Sequence, residues 1–166
     1  MNQFIASIVI CLIALVGASE LQAAAVGTPA PAFELVTFSG ETYNNHIQTG
    51  RPLLLIFWAP WCNVCQRDLP LLSEFYQRDK PPQLGVVSIG FADTRTNVER
   101  FMKEHARTFV YPTAYDEDRW VAQAFKVNAT PTYVLLDRGS VVLVHRGGGV
   151  LQNPQFRIFL QAMASS

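Results

Sequence analysis

Hydrophobic and polar positions along the chain form blocks that predict two neighbouring strands joined by a helix. The runs Pro52 to Trp58 (PLLLIFW) and Leu84 to Phe91 (LGVVSIGF) are almost entirely apolar. Short runs without polar alternation are typical of central strands covered on both faces. Between them, apolar residues recur at helical spacing from Val64 to about Arg78, and Pro70 is expected to kink this helix. Such a unit nearly always forms a right-handed parallel crossover.

The remaining elements are shorter, and turn residues separate them. In chain order the pattern predicts a β-hairpin around Phe33 to Val36 and an FSGE turn, a helix from Thr96 to His105 opened by Thr96 or Asn97, an extended piece from Phe109 to Pro112, a helix from Asp116 to Phe125, a hairpin from Thr132 to Leu136 and Val141 to Val144, and a closing helix from Pro154 to Ala164. This order predicts an α/β fold in which a mixed sheet has helices on both faces.

Composition is that of one globular domain with an ordinary surface. The chain has 166 residues, of which 49% are hydrophobic, which is enough for a single domain with a sizeable core. Thirteen acidic and thirteen basic residues cancel, and no basic block stands out. Nucleic acid and anionic membrane surfaces are therefore not expected as partners.

The first 25 residues differ in kind from the rest and resemble a secretory signal peptide. Phe4 to Val16 is nearly all apolar, and Ala23-Ala24-Ala25 offers a cleavage site that would leave residues 26–166 as the mature domain. An uncleaved membrane tether through residues 4–19 is the alternative, although about 16 apolar residues is short of the roughly 20 that a spanning helix needs. A buried helix is the third possibility. Cleavage would also remove Cys11, so that two thiols remain.

Those two thiols, Cys62 and Cys65, form a CxxC motif where the first buried strand gives way to the helix. A disulfide between them closes almost no loop, so it would add little stability. Backbone N–H groups and the positive helix end would stabilise a thiolate on Cys62 near neutral pH. We therefore predict that Cys62 is the nucleophile, and that Cys65, one turn later and shielded, resolves the mixed disulfide.

Two other interpretations of CxxC remain open, a zinc half-site and an inert disulfide. Zinc requires four ligands, and the sequence has no second cysteine pair. His46, His105 and His145 are single histidines scattered along the chain. No metal site and no cofactor are predicted.

Several motifs together resemble the thioredoxin superfamily. FWAPWCNVC follows an apolar strand, and Ala129-Thr130-Pro131-Thr132 comes some 65 residues later. CQRDLP, the GTPAPAF opening and the insert after the second strand are similar to the exported TlpA/ResA/DsbE-like branch. The resemblance covers nearly the whole mature chain. It implies a thioredoxin-like three-layer sandwich with a central mixed β-sheet, an N-terminal β extension and a central insert.

The resemblance also implies roles for residues around the cysteines. Pro131 matches a cis-proline beside the sulfurs, and the backbone at Thr130 would pair with substrate. Asp68 stands where the family usually has Glu, and it would raise the pKa of the nearby Cys65 thiol and hold its proton; a solvated helix acid is the alternative. Trp61 is expected to cover the sulfurs and contact substrate, whereas Trp58 is expected in the core.

The implied activity is thiol-disulfide exchange with cysteine pairs of substrate proteins, in the periplasm or at the outer face of the bacterial inner membrane. The usual direction in this branch is reduction, for example in cytochrome c maturation, with electrons from a membrane thiol-disulfide partner. Ile56 replaces the buried Asp of cytoplasmic thioredoxins and Asn63-Val64 replaces their Gly-Pro, so cytoplasmic-type reduction is not expected.

Three alternative functions remain. A disulfide oxidase or isomerase of the same fold would use the same residues. A non-enzymatic envelope protein would bind metal or haem through the thiols. A peroxidase of the wider superfamily would carry a hydroxyl residue three positions before the reactive cysteine, where this chain has Ala59.

Overall fold

The computed structural model describes residues 25–45 and 50–165. Apart from Ala25, the predicted signal peptide lies outside these residues, as do the predicted tether, Cys11 and His46. Within the described parts of the chain, no helix combines the length and the apolar character needed to cross a bilayer.

The described residues form one five-stranded sheet, a separate two-stranded sheet and helices. The strands are β1 (Glu34–Val36), β2 (Thr42–Asn44), β3 (Leu53–Trp58), β4 (Gly85–Gly90), β5 (Thr113–Tyr115), β6 (Thr132–Asp137) and β7 (Ser140–Arg146), and the α-helices are α1 (Asn63–Arg78), α2 (Arg95–Glu104), α3 (Trp120–Ala124) and α4 (Pro154–Ala164). Glu117–Arg119 and Val150–Gln152 form short 3-10 helices.

The large sheet has the strand order β5-β4-β3-β6-β7. β3 pairs in parallel with β4, and β4 pairs in parallel with β5, whereas β6 and β7 run antiparallel. The predicted mixed sheet and parallel crossover are thus confirmed. The carboxyl ends of β3, β4 and β5 share one edge of the sheet with the start of β6, and the loops at this edge carry the candidate site.

The central strand β3 separates two hydrophobic cores. All its residues are buried: Leu54, Ile56 and Trp58 belong to one core, and Leu53, Leu55 and Phe57 belong to the other. The first core also receives side chains of α1, α2 and α4, and the second receives those of α3 and the β1-β2 hairpin. This three-layer arrangement explains why β3 lacks polar alternation.

Two elements of the insert, α2 and β5, lie at other positions than predicted. Thr94 caps α2, because its hydroxyl accepts the N–H of Asn97 at 3.2 Å, so the helix starts earlier than predicted. The extended piece is β5, which lies beyond the predicted Phe109 to Pro112. Its position is fixed by a buried contact at 2.8 Å between the hydroxyls of Thr113 and Ser88 on the neighbouring strand.

The helix predicted from Asp116 to Phe125 is broken. Asp118 and Arg119 have φ of 54° and 61°, a conformation that ends the short 3-10 helix before α3 begins. The buried Asp116 carboxylate then accepts the N–H groups of Val121 at 3.0 Å and Ala122 at 2.7 Å. Asp116 therefore caps α3 instead of lying in the first turn of one longer helix.

The chain before β3 crosses one face of the large sheet and reaches both of its outermost strands, β5 and β7. At β7, the N–H of Gly27 donates to the carbonyl of Val141 at 2.8 Å, and Pro29 bridges Ser140. At β5, Thr37 forms a bridge with Ala114. The predicted N-terminal β extension is present, and it pairs with the outermost strand on each side.

Candidate active site

Cys62 and Cys65 form a disulfide at the amino end of α1, with their Cα atoms 5.2 Å apart. Cys62 is the N-cap residue, and its sulfur accepts the backbone N–H of Cys65 at 3.0 Å. Cys62 keeps 5% of its surface exposed, whereas Cys65 is fully buried. The structure thus places Cys62 outermost and Cys65 behind it, which is the order that the sequence predicts.

The start of α1 favours negative charge on Cys62 once the disulfide is reduced. The Cys65 N–H already points at the Cys62 sulfur, and the first turn of α1 contains no acidic residue. The partial positive charge of the helix end therefore remains available to a thiolate. Cys65 lies inside the helix and receives no comparable stabilisation from the helix end.

The two tryptophans beside the motif have different environments. Trp58 is fully buried against the rings of Phe101 and Phe109, so its predicted place in the core is confirmed. Trp61 is 60% exposed, and its indole N–H donates to the carbonyl of Ala92 at 3.1 Å in the loop after β4. Trp61 therefore presents a fixed aromatic surface to solvent one residue before Cys62.

The peptide bond between Thr130 and Pro131 is cis, as the resemblance implies. Pro131 directly precedes β6, and Thr132 of β6 is paired with Phe57 of β3. Because β3 leads through Trp58 into the loop before Cys62, Pro131 lies at the sheet edge that carries the cysteines. Thr130 is half-buried and Ala129 is exposed, so the chain before Pro131 reaches the surface.

Asp68 is half-buried and accepts two hydrogen bonds, so it is not simply a solvated acid on the helix surface. Its Oδ2 accepts the hydroxyl of Tyr133 at 2.9 Å and the backbone N–H of Gly149 at 2.6 Å. Burial and the neighbouring Asp68 carboxylate raise the pKa of Tyr133 far above its usual value. Tyr133 therefore remains a protonated donor to Asp68 throughout the working pH range.

Sequence reasoning missed the residues that hold Asp68. Tyr133 lies within the predicted strand Thr132 to Leu136, and Gly147 to Gly149 follow the second strand of that hairpin, so neither position stands out as part of a site. A Cβ on Gly148 would lie 2.9 Å from Val64 Cγ1 and 3.0 Å from Asp68 Oδ1, so only glycine permits this approach to α1. The signal available was a tyrosine in an otherwise apolar strand, because a buried phenol usually has a hydrogen-bond partner.

Comparison with known proteins agrees with this geometry. Residues 25–155 match the profile of the redoxin family. The chain belongs to the redoxin family. Thiol-disulfide oxidoreductase ResA of Geobacillus kaustophilus is 30% identical to this redoxin over 124 residues, which are 75% of this chain and 70% of that protein. ResA of Bacillus subtilis is 30% identical over 122 residues, 73% of this chain and 67% of that one.

Solved structures show the same fold. A Chlorobium tepidum protein assigned provisionally as thiol:disulfide interchange protein DsbE has a TM-score of 0.72 at 24% identity, covering 84% of this redoxin and 97% of that chain. MTB dsbF has a TM-score of 0.67 at 26% identity, covering 82% and 98%. With the ResA relatives, this places the redoxin in the ResA/DsbE-like part of the thioredoxin superfamily, and it is a thiol-disulfide oxidoreductase.

Proposed function

We propose that this redoxin is an exported protein-disulfide reductase of the bacterial cell envelope that acts on cysteine pairs of substrate proteins, in cytochrome c maturation or a related process. The observation that carries the proposal is the Cys62-Cys65 pair at the amino end of α1, with Asp68 anchored one turn from Cys65. The 30% identity with ResA supports the oxidoreductase class of this proposal.

The cycle begins with the reduced dithiol. The Cys62 thiolate attacks one sulfur of a substrate disulfide, forming a mixed disulfide and releasing the other substrate sulfur as a thiolate. Cys65 then gives up its proton and attacks the Cys62 sulfur, which breaks the bond to the substrate and releases its second thiolate. The substrate gains two electrons, and the protein is left with the Cys62-Cys65 disulfide.

Asp68 supports the resolving step and the reducing direction. As a base one helical turn from Cys65, it can accept the thiol proton that must leave before Cys65 attacks. Its negative charge also disfavours thiolates beside it, and so destabilises the reduced protein relative to the disulfide. A dithiol whose reduced form is not stabilised is the better reductant.

Substrate contacts are proposed at the sheet edge around Pro131. Trp61 offers an exposed ring fixed to Ala92, and the backbone at Thr130 reaches the surface beside Pro131. An extended segment of substrate can pair with this backbone while its cysteine meets Cys62. Trp61, Thr130 and Pro131 are thus proposed to bind the polypeptide around the reacting disulfide.

Export to the periplasm, or to the outer face of the inner membrane, is proposed from residues 1–25, read as a signal peptide or as a tether through residues 4–19. Because each turnover oxidises Cys62 and Cys65, the cycle needs an electron donor. We propose a membrane thiol-disulfide protein in that role.

Substrate trapping tests the proposal. We expect the variant Cys65→Ala to accumulate mixed disulfides between Cys62 and its substrates, because the sulfur that resolves them is missing. Non-reducing electrophoresis of envelope extracts followed by mass spectrometry would identify the trapped proteins. The matched control is Cys62→Ser/Cys65→Ala, which should trap nothing.

The identity of the trapped proteins decides between substrate classes. Proteins with CxxCH haem-attachment motifs would support the maturation role, and varied exported proteins would support a broader reducing role. If Cys65→Ala accumulates no more adducts than the double variant, Cys62 is not the nucleophile.

A redox titration tests the direction. We expect the Cys62-Cys65 couple to lie closer to the value of about −270 mV typical of thioredoxin than to the value of about −120 mV of a strong oxidase. Equilibration with dithiothreitol or glutathione buffers, followed by alkylation and mass spectrometry, measures it. A potential near that of the oxidase would instead assign the protein as a disulfide oxidase.

A further inference from the structure

The hydrogen bonds of Asp68 are unequally divided between its two oxygens. Oδ2 receives both the Tyr133 hydroxyl and the Gly149 N–H, at 2.9 and 2.6 Å. Within residues 25–45 and 50–165, no hydrogen-bond donor lies on Oδ1. Oδ2 can take both hydrogen bonds because a carboxylate oxygen has more than one lone pair. Oδ1 therefore remains free to receive a proton.

The side chain of Asp68 lies over the first turn of α1. Helical side chains lean towards the helix amino terminus, and residues three and four apart are neighbours, so Asp68 covers the turn of Val64 and Cys65. Gly148 supports this placement of the Asp68 side chain, because a Cβ on Gly148 would touch both Val64 and Asp68.

The Tyr133 hydroxyl enters from the sheet and is itself fixed. Tyr133 is fully buried in β6, and its backbone pairs with Ile56 of β3. A buried ring in a central strand has little freedom to follow a moving carboxylate. The Asp68 side chain is short, and the longer Tyr133 side chain spans the distance from β6 to its carboxylate.

The second donor, the Gly149 N–H, is held by a chain of bonds outside the active site. Asn153 uses its Oδ1 to accept the Phe156 N–H at the start of α4, so its amide nitrogen faces Nδ1 of His145, at 3.1 Å. His145 then carries its proton on Nε2 and donates it to the Gly148 carbonyl, at 3.0 Å. The glycine loop is thereby fixed in the orientation that presents the Gly149 N–H.

We propose that Tyr133 is a positioning residue for the active-site dithiol: its hydroxyl, with the Gly149 N–H, holds Oδ2 of Asp68 so that Oδ1 stays over the turn that carries Cys65. This inference rests on the role of Asp68 in the proposed function. Without the hydroxyl, the carboxylate keeps one anchor and spends less time beside Cys65, which weakens its electrostatic effect on the thiol.

A double-mutant cycle tests the positioning role. In the reduced full-length protein, NMR titration of the Cys65 Cβ shift reports the thiolate fraction of this residue alone. We expect Asp68→Asn to raise the Cys65 thiolate fraction near neutral pH by about tenfold, because a neighbouring negative charge is lost. Tyr133→Phe should raise it by about threefold, and Tyr133→Phe/Asp68→Asn should match Asp68→Asn alone, because both changes act through one carboxylate.

The control is Tyr111→Phe. Tyr111 is also buried in the core against α1, but its hydroxyl donates to the Leu69 carbonyl, at 3.4 Å, and not to Asp68. The substitution Tyr111→Phe removes a comparable hydroxyl and should leave the Cys65 titration unchanged. An equal effect of both tyrosine variants would mean that loosening of α1, and not the position of Asp68, changes Cys65.

The possible outcomes separate the inference from its basis. If Asp68→Asn leaves the Cys65 titration unchanged, the proposed role of Asp68 fails. If Asp68→Asn changes it but Tyr133→Phe does not, or if the two changes add independently, the role of Asp68 stands and the positioning role of Tyr133 is wrong.

A second variant covers the case in which Tyr133→Phe does not fold. Gly148→Ala leaves the tyrosine in place but adds a Cβ that would lie 3.0 Å from Asp68 Oδ1. We expect the added Cβ to displace the Asp68 carboxylate and so to raise the Cys65 thiolate fraction, as Tyr133→Phe does. An unchanged titration in Gly148→Ala would show that the position of the carboxylate does not matter, and would overturn the proposal.

Discussion

Replacing Cys62 with serine is expected to lower the rate of disulfide reduction by at least about 10³-fold. A hydroxyl on this helix end does not ionise near neutral pH and does not form a disulfide with substrate. Cys65 cannot substitute for it, because the Cys65 side chain is completely buried. Insulin reduction in the presence of dithiothreitol measures the rate.

Two cysteine controls sharpen this expectation. Cys11→Ser should retain full activity, because Cys11 belongs to the segment predicted to leave on export. Cys65→Ser should release one thiol from a small aromatic disulfide per protein molecule and then stop. Residual turnover in Cys62→Ser would show that Cys65 or another group starts the exchange.

Replacing Trp58 with alanine is expected to lower the free energy of unfolding by about 3–5 kcal/mol. Trp58 ends the central strand and fills the first core against Phe101 and Phe109, with ring centroids 5.6 and 4.8 Å away. Its loss would leave a large cavity directly before the active-site loop. Urea unfolding followed by circular dichroism gives the change.

Two aromatic variants serve as comparisons. Trp58→Phe should cost much less than Trp58→Ala, because the ring largely remains and because the buried indole N–H has no hydrogen-bond partner among the described residues. Trp120→Ala should change stability by no more than about 0.5 kcal/mol, since Trp120 is 74% exposed. Similar losses at both tryptophans would contradict the importance assigned to burial of Trp58.

The parts of the fold that the sequence predicted are those set by local pattern. β3 is apolar throughout, and β4 is apolar apart from Ser88, because two cores cover them. The Arg138-Gly139 turn has positive φ at both residues, which suits a two-residue hairpin. The insert was harder, because its elements depend on contacts with distant residues. The buried Ser88 partner fixes β5 at Thr113, and no local pattern records that pairing.

The site divides in the same way. The spacing of Cys62 and Cys65 is local, so their place at the start of a helix could be predicted. The anchoring of Asp68 could not, because Tyr133 and Gly149 lie 65 and 81 residues further along the chain. The sequence shows that an acid is present on the helix, and the folded sheet determines which groups hold it.

The N-terminal extension covers part of the backbone of both outer strands of the large sheet. An outer strand with free N–H and C=O groups is a template to which another extended chain can add. Here the extension already occupies that template at Ala114 of β5 and at Ser140 of β7. Under the proposed function, a substrate chain is thereby directed away from these outer strands, where pairing would lead to aggregation, and towards the backbone beside Pro131.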